Sequence, residues 1–400
     1  MSTQGWSDLE TPFIKLRKRA DRRIREGHCW VFSNEIGHPP VAELEPGGLY
    51  QLQDVTGEFL GIVYTNPSSL ITARLLSRKK AVIDGGFVRE RILRAAHWRS
   101  VVFKDSKYYR LVFSESDGLP GLVIDRYGDH FVCQSFTAGM DRLMDYVVDT
   151  LAEELSPESI FLRNDSPYRL LEQIPVEKRL CFGSHPGNVV MDSWGLELSV
   201  DVVEGQKTGA FLDQEWNRPL VKHYVSPGME VLDLFCYTAA WSLHALTAGA
   251  GGATAVDTSR SALLIAETDA CRNNLSGRLE CVREPVVDFL KKQTRSWGMI
   301  IVDPPSFIKN RSNIKEGVKG YIDVNRRALT KLEDLGILVT CSCSHHLDAS
   351  TFEQVIRTAA RQAGTNVRFL ETRSQGPDHP VLAAMPETRY LKVLVVQVIR

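Results

Sequence analysis

Residues Trp297 to Phe307 read W-G-M-I-I-V-D-P-P-S-F. Met299 to Val302 is an unbroken apolar run rich in β-branched residues, the pattern of a strand covered on both faces in a parallel sheet. The run stops at Asp303, and Pro304-Pro305 can neither continue a hydrogen-bonded ladder nor open a normal helical turn. A carboxylate on a rigid lip past the carboxyl end of a buried strand lies at the edge where open α/β sheets bind ligands. An ordinary strand-ending turn would also read D-P-P, so the flanking segments must decide.

Working outward, strands alternate with helices from Trp194 onward, the βαβ signature of a parallel sheet. Strand Glu230 to Phe235 leads into a helix through Leu246, Ala253 to Val256 into Ser259 to Asn274, and Leu279 to Val282 into Val286 to Lys292. Met299 to Val302 is therefore the fourth strand. A helix over Gly320 to Glu333, a fifth strand over Gly336 to Thr340, a helix over Ser350 to Ala363 and a closing pair, Val367 to Glu371 with Tyr390 to Ile399, complete a seven-stranded, doubly wound, Rossmann-like domain.

Asp233 and Asp257 end the first two strands. A carboxylate past the second strand, about twenty residues after the first turn, can accept both hydroxyls of an adenosine ribose. The loop Cys236-Tyr237-Thr238-Ala239-Ala240 lacks the G-x-G-x-x-G that lets backbone approach a pyrophosphate, which disfavours a dinucleotide. A nucleoside cofactor without phosphate fits better, and S-adenosylmethionine is the common one. Phe235, Tyr237, Thr238 and Thr258, flanking the two aspartates, complete the expected cofactor wall. Beside the D-P-P strand, Thr340 to His346 reads T-C-S-C-S-H-H. Free cysteine titrates near about 8.5, so a few per cent is thiolate at neutral pH, enough for a nucleophile. Cys341 and Cys343 share one face of an extended strand end, and geometry excludes neither. His345-His346 lacks a third ligand at helical spacing, so no metal site is expected.

Toward the N-terminus, Lys15, Arg17, Lys18, Arg19, Arg22, Arg23 and Arg25 crowd one segment opposed only by Asp21 and Glu26, with His28, Trp30 and Phe32 following. Cations beside aromatics suit phosphate neutralisation and base stacking. Short apolar runs from Tyr50 to Leu76, broken by Gly57, Gly61 and Asn66-Pro67, read as a small β-barrel. From Ala81 a helical pattern begins, and strands around Tyr109 to Phe113, Leu122 to Asp125, Phe131 to Phe136 and Ser159 to Arg163, with a helix over Arg142 to Leu155, make an α+β unit. The expected domains are 1–80, 81–194 and 195–400. The chain has 400 residues, 43% hydrophobic and 24% charged, with a net charge of −1. That is globular composition, and it directs attention to local rather than overall basicity. Eight scattered cysteines form no disulfide framework. No apolar run is long enough to span a bilayer and the N-terminal ten residues have no signal-peptide character, so a cytoplasmic protein with no membrane partner is expected.

The residues also match a known pattern. L-R-K-R-A-D-R-R-I (Leu16 to Ile24) with G-H-C-W-V-F-S-N (Gly27 to Asn34), E-S-D-G-L-P-G-L-V-I-D-R-Y-G (Glu115 to Gly128), Q-K-T-G-A-F-L-D-Q (Gln206 to Gln214), D-P-P-S-F and S-C-S follow in order along nearly the whole chain. In these the chain resembles the PUA-domain-containing bacterial 23S ribosomal RNA cytosine-C5 methyltransferases. The resemblance implies a PUA barrel, a small α+β domain and a class I S-adenosylmethionine-dependent methyltransferase domain. It implies that Cys343 attacks C6 of cytosine, that Asp303 holds the ring edge, and that C5 receives the methyl group. Asp233, Asp257, Asp303, Lys207, Thr208, Asp213 and Gln214 would line the cofactor pocket. Arg17, Lys18, Arg19, Arg22, Arg23, Pro304 and Phe307 would meet ribosomal RNA, and a homodimer is compatible with the pattern. The chain departs from it at Ala239 and Ala240, where the family carries glycines, at Glu284-Pro285, which leaves Glu284 or Asp288 for the adenine, and at Glu215-Trp216, where arginine is usual. Two other readings of the same residues are methylation of a base nitrogen and an RNA-binding assembly protein with a decayed cofactor site.

Overall fold

A computed structural model describes residues 12–104 and 106–400; the N-terminal ten residues, read above for a signal sequence, lie outside them. The chain forms two compact units. One runs to Val189 and takes in Val200–Leu212 and Pro377–Thr388; the other holds Val190–Ser199, Asp213–Gly376 and Arg389–Arg400.

In the first unit the glycine-broken apolar runs form a six-stranded sheet from Phe13–Leu16, Trp30–Val31, Ile36–His38, Leu49–Gln53, Phe59–Thr65 and Ala73–Ser77. Ile14, Leu16, Ile24, Val31, Leu52 and Val63 pack as its core. Gly61 sits at φ +156°, and a Cβ there would lie 2.4 Å from the Ser77 carbonyl oxygen, so strand contact itself requires the glycine. A five-stranded sheet follows, from Tyr108–Phe113, Leu122–Tyr127, His130–Ser135, Ser159–Asn164 and Glu177–Gly183. The helices Gly85–Phe103 and Met144–Leu155 contribute Phe87, Ile92, Val147 and Leu151 to the core shared with Leu111, Ile124 and Phe131. The first of these helices begins later than the apolar pattern at Ala81, because the Asp84 side chain caps it by accepting from the Phe87 N–H.

Two charged motifs resolve into structural pairings. In E-S-D-G-L-P-G, Glu115 accepts from Trp30 Nε1 at 2.8 Å and Arg74 at 3.0 Å, while Asp117 forks onto the fully buried Arg99 at 2.6 and 2.8 Å. Buried carboxylates and guanidinium groups need such partners. The basic run is also less free than its composition implies. Beyond Asp21 and Glu26 it meets three acids distant in sequence: Arg23 forks onto Glu35 at 2.7 and 2.9 Å, and Arg25 reaches Asp54 at 3.0 Å and Glu58 at 2.6 Å. Arg22 pairs with Glu26, and Arg17 donates to the Ile36 carbonyl. Lys18 and Arg19 are exposed. The expectation of a run opposed by two acids is corrected accordingly.

The second unit holds one sheet of β1 (Glu230–Leu234), β2 (Gly252–Asp257), β3 (Leu279–Arg283), β4 (Trp297–Val302), β5 (Leu332–Ser342), β6 (Asn366–Arg373) and β7 (Lys392–Ile399), in the order 3-2-1-4-5-7-6. The first five are parallel, and β7 runs antiparallel between β5 and β6. The connecting helices are α1 (Ala240–Thr247), α2 (Arg260–Arg272), α3 (Val286–Lys292), α4 (Ile314–Thr330) and α5 (Ala349–Gln362). Every residue of β4 is buried, as an apolar run in a sheet covered on both faces must be. Leu232, Leu234, Ile300, Val302 and Leu338 pack with Phe289, Tyr321, Val324, Phe352 and Ile356 from α3, α4 and α5.

Several boundaries move, two of them in elements that reach the site. β5 starts at Leu332 rather than Gly336, because its ladder with β4 pairs Trp297 with Leu332, then shifts register to pair Met299 with Ile337. α4 starts at Ile314 rather than Gly320. Gly317 is a helical residue, and a Cβ on it would lie 2.3 Å from Ile308 Cγ1 and 2.8 Å from the Phe307 carbonyl oxygen. The glycine read as outside the helix is what lets the helix touch the D-P-P-S-F loop.

Candidate active site

Strand order reverses between β1 and β4, and the crevice at the carboxyl ends of these strands is where a doubly wound sheet binds ligands. Asp233 and Asp303 stand at those ends. The Asp303 amide donates to the Leu234 carbonyl at 3.3 Å, continuing the β1–β4 ladder past the strands. Its Oδ2 accepts from Gln214 Nε2 and from Trp241 Nε1, each at 3.1 Å. Two donors from different segments fix the carboxylate's direction while the residue stays half-buried. Trp241, at the start of α1, had no sequence signal beyond its place after the first-strand loop.

The cysteines follow on β5. Cys341 is fully buried, and burial together with the Asp303 charge raises its thiol well above the ordinary range. Cys343 lies just beyond the strand end and is half-buried. Side-chain alternation thus does not make the two equivalent, since the strand ends between them. Ser344 joins the two motif loops. Its hydroxyl is 2.8 Å from Ser306 Oγ and 2.9 Å from the Tyr321 hydroxyl, and it accepts from the Ile308 N–H at 3.3 Å. The S-C-S and D-P-P-S-F loops are therefore one hydrogen-bonded structure. Pro304 is buried and Pro305 exposed, so the exposed lip is the second proline. Phe307 packs its ring 4.7 Å from that of Tyr321 and 6.3 Å from that of Phe235.

On the β1–β2 side, Asp257 is half-exposed. Its Oδ2 accepts from the Tyr237 N–H at 3.0 Å and its Oδ1 from the Ser259 N–H at 2.8 Å. Phe235, Tyr237 and Ala239 all have positive φ, at 61°, 51° and 56°. The loop thus makes a left-handed turn of the kind glycines ease, but with side chains. Phe235, Tyr237 and Thr238 are half-buried and Thr258 exposed along this edge. Asp233 instead points beneath α1: its Oδ2 accepts from the Ser242 N–H at 3.1 Å and hydroxyl at 2.8 Å. Burial, then the Asp303 and Asp257 charges, push it up to about 7, against the Ser242 hydrogen bonds. Glu284 is tied to Lys292, and its amide donates to the Asp257 carbonyl. Asp288 pairs with Lys291 at 3.0 Å.

Among the residues of the Q-K-T-G-A-F-L-D-Q segment, Gln214 reaches the site directly. Asp213 is buried and accepts from the Tyr390 hydroxyl at 2.6 Å. Lys207 and Thr208 belong to the first unit. There Lys207 lies over the Phe211 ring, and the Thr208 hydroxyl donates to Asp125 at 2.5 Å and meets Tyr127 at 2.9 Å. Glu215 is buried, accepting from Ser193 at 2.5 Å and Arg218 at 2.9 Å.

Residues 14–78 match the model of a PUA-like domain, and residues 186–395 that of the S-adenosylmethionine-dependent methyltransferases. A protein of Shewanella denitrificans named Ribosomal RNA large subunit methyltransferase I is 36% identical over 393 residues, spanning 96% of this chain and 99% of its own. The chain belongs to the ribosomal RNA large subunit methyltransferase I family. A Cronobacter sakazakii member of the same name is 34% identical over 388 residues, covering 95% of this chain and 97% of its own. The crystal structure of a methyltransferase complexed with SAH covers 97% of this chain and 100% of its own at 22% identity and a TM-score of 0.84, a likeness of fold. As a family member the chain is an S-adenosylmethionine-dependent methyltransferase. Its residues fit the nucleoside half of that cofactor. Asp257 presents a half-exposed carboxylate at the carboxyl end of β2, and the loop after β1 is glycine-free and makes no phosphate cradle. Among the described residues no helix is long and apolar enough to cross a membrane.

Proposed function

We propose that the protein methylates C5 of a cytosine in large-subunit (23S) ribosomal RNA, through a covalent bond between Cys343 and C6. The observation that carries this reading is the Ser306–Ser344–Tyr321 hydrogen-bond cluster, which ties the loop of Asp303 to the loop of Cys343. A methyltransferase acting on an exocyclic amine has no need of a thiol there. Cytosine C5 is a poor nucleophile, and addition at C6 is what makes it reactive.

The Cys343 thiolate adds to C6, and the electron pair of the C5–C6 double bond moves toward C5. Asp303, held by Gln214 and Trp241, accepts from the cytosine exocyclic amine and keeps the ring edge in place. S-adenosylmethionine supplies the methyl group that C5 takes. Water takes the C5 proton, the C5–H electron pair re-forms the C5–C6 double bond, and the C6–sulfur bond breaks to release the Cys343 thiolate. Asp257 would take the ribose hydroxyls of the cofactor and Phe235, Tyr237 and Thr238 would line it, while Asp233 holds the first turn of α1 through Ser242. The target base must be unpaired or flipped to enter. The basic segment of residues 1–80, chiefly Arg17, Lys18 and Arg19, grips RNA without reading sequence.

Labelled methyl transfer to ribosomal RNA tests the mechanism. Cys343→Ala is expected to abolish transfer with the fold intact, and transfer that persists excludes the covalent route. Bisulfite mapping of ribosomal RNA with and without the gene locates the carbon. A methyl group found on nitrogen by mass spectrometry overturns the C5 assignment.

A further inference from the structure

Lys392 opens β7 and stands opposite Ser342 in the β5–β7 register. It is 6% exposed, and lysines are rarely so buried without compensation. Its Nζ donates to the carbonyl oxygens of Ser344 at 2.6 Å and of Tyr390 at 2.7 Å. Both acceptors are neutral. The ionisable groups whose charge it feels are Cys343 and Asp348. Asp348 is already committed as the cap of α5, accepting from the Ser350 hydroxyl at 2.7 Å and the Thr351 N–H at 2.8 Å. Cys343 precedes the very carbonyl that Lys392 holds.

We propose that Lys392 is the positioning residue of the Cys343 nucleophile, fixing the tip of the S-C-S loop through the Ser344 carbonyl and stabilising the thiolate with its buried positive charge. The inference rests on the reading of Cys343 as the attacking group. A compact ammonium is suited to this, since a thiolate beside a cation forms at lower pH than a free thiol. Burial brings Lys392 itself down to about 8, so the charge is present at neutral pH and fades above that value. The other titratable groups around the pair include Tyr321, which feels the Cys343 charge and whose hydroxyl is 2.9 Å from Ser344 Oγ, Cys341, buried two residues before Cys343 on β5, Asp348, and His345, whose ring stacks on Tyr390 at 5.4 Å. A lysine that only tied β7 to the loop would hold the same two carbonyls without affecting the thiol.

Peptide-resolved alkylation of Cys343 by iodoacetamide, followed against pH in the full chain, separates these roles. In the wild type the inflection should fall below the free-thiol value of about 8.5. Lys392→Met should raise it by about one pH unit, so that alkylation at neutral pH slows roughly tenfold. Lys392→Arg, whose charge does not titrate in this range, should keep the low inflection, and methyl transfer by the Met variant should lose kcat with KM unchanged. An inflection that is the same in wild type and Met variant overturns the proposal. So does a wild-type inflection at or above the free-thiol value, a result that needs no variant to fold. The nucleophile reading fails separately, if Cys343→Ala still transfers methyl groups.

Discussion

Asp233 shows how a single strand-end carboxylate can be read correctly in place and incompletely in role. Its position after β1 is legible from V-L-D-L-F, but its direction is not, because Ser242 claims it from the following helix. The consequence is measurable. Its folded value of about 7 lies above the unfolded carboxylate value of about 3.9. Between those values the folded state holds a proton that the unfolded state has released, so this residue's contribution to stability falls as pH rises, by up to about 1.4 kcal/mol per pH unit. Asp233→Asn keeps the shape and removes the titration. The melting temperature of the variant should therefore gain on the wild type between pH 5 and 7.5; a difference that does not change with pH would sink the assignment. Trp241 is differently hidden, and Gln214 is named through the resemblance alone. Gln214 meets Asp303 across 89 residues of sequence, and no local pattern encodes that meeting.

At the scale of elements, the loop after β1 and the start of α4 show opposite uses of glycine. Ala239 stands in a left-handed turn, and its φ of 56° costs an alanine about 1–2 kcal/mol. Restoring glycine removes that cost but adds about 0.5–1 kcal/mol of chain entropy and loses a buried methyl worth about 0.8 kcal/mol. Ala239→Gly should thus change stability by less than about 1 kcal/mol in either direction, as read by urea denaturation. The departure is tolerable rather than a sign of decay. Gly317 has no such latitude. An alanine methyl would press on Ile308 and on the Phe307 backbone, which cannot yield like a flexible side chain. Gly317→Ala should cost about 1–3 kcal/mol and, by shifting the D-P-P-S-F loop, reduce methyl transfer more than cofactor binding. Calorimetric titration with S-adenosylmethionine beside a transfer assay would show this; equal losses in both would argue against a loop displacement. The βαβ alternation is readable because short apolar runs, buried on both faces in β4, alternate with helical segments. Helix α4 begins at Ile314 rather than at the expected Gly320, because Gly317 sits inside it in close approach to Phe307 and Ile308, a contact that propensity does not encode.

Across the whole molecule, the order of barrel, α+β sheet and doubly wound sheet follows from local pattern, while the charge distribution does not. Net charge near zero hides a basic segment, and sequence order hides how much of that segment is spent internally. Arg23 and Arg25 face Glu35, Asp54 and Glu58 and are committed to holding the barrel, whereas Lys18 and Arg19 are exposed. Only cations able to release counterions from phosphate contribute to the salt dependence of RNA binding, by a slope of about 0.7 per contact on single strands. Replacing Lys18 and Arg19 together by alanine should therefore lower the slope of log affinity against log salt by roughly 1 to 1.5, with the melting temperature nearly unchanged. Arg23→Ala should do the reverse, leaving the slope within error while lowering the melting temperature, since it leaves Glu35 without its forked partner. Fluorescence anisotropy with a ribosomal RNA fragment over a range of salt, beside thermal melts, reads both quantities. If Arg23→Ala flattens the slope as much as the Lys18 and Arg19 pair does, the ion pair with Glu35 opens on RNA and the whole run, not its exposed part, is the RNA-binding surface.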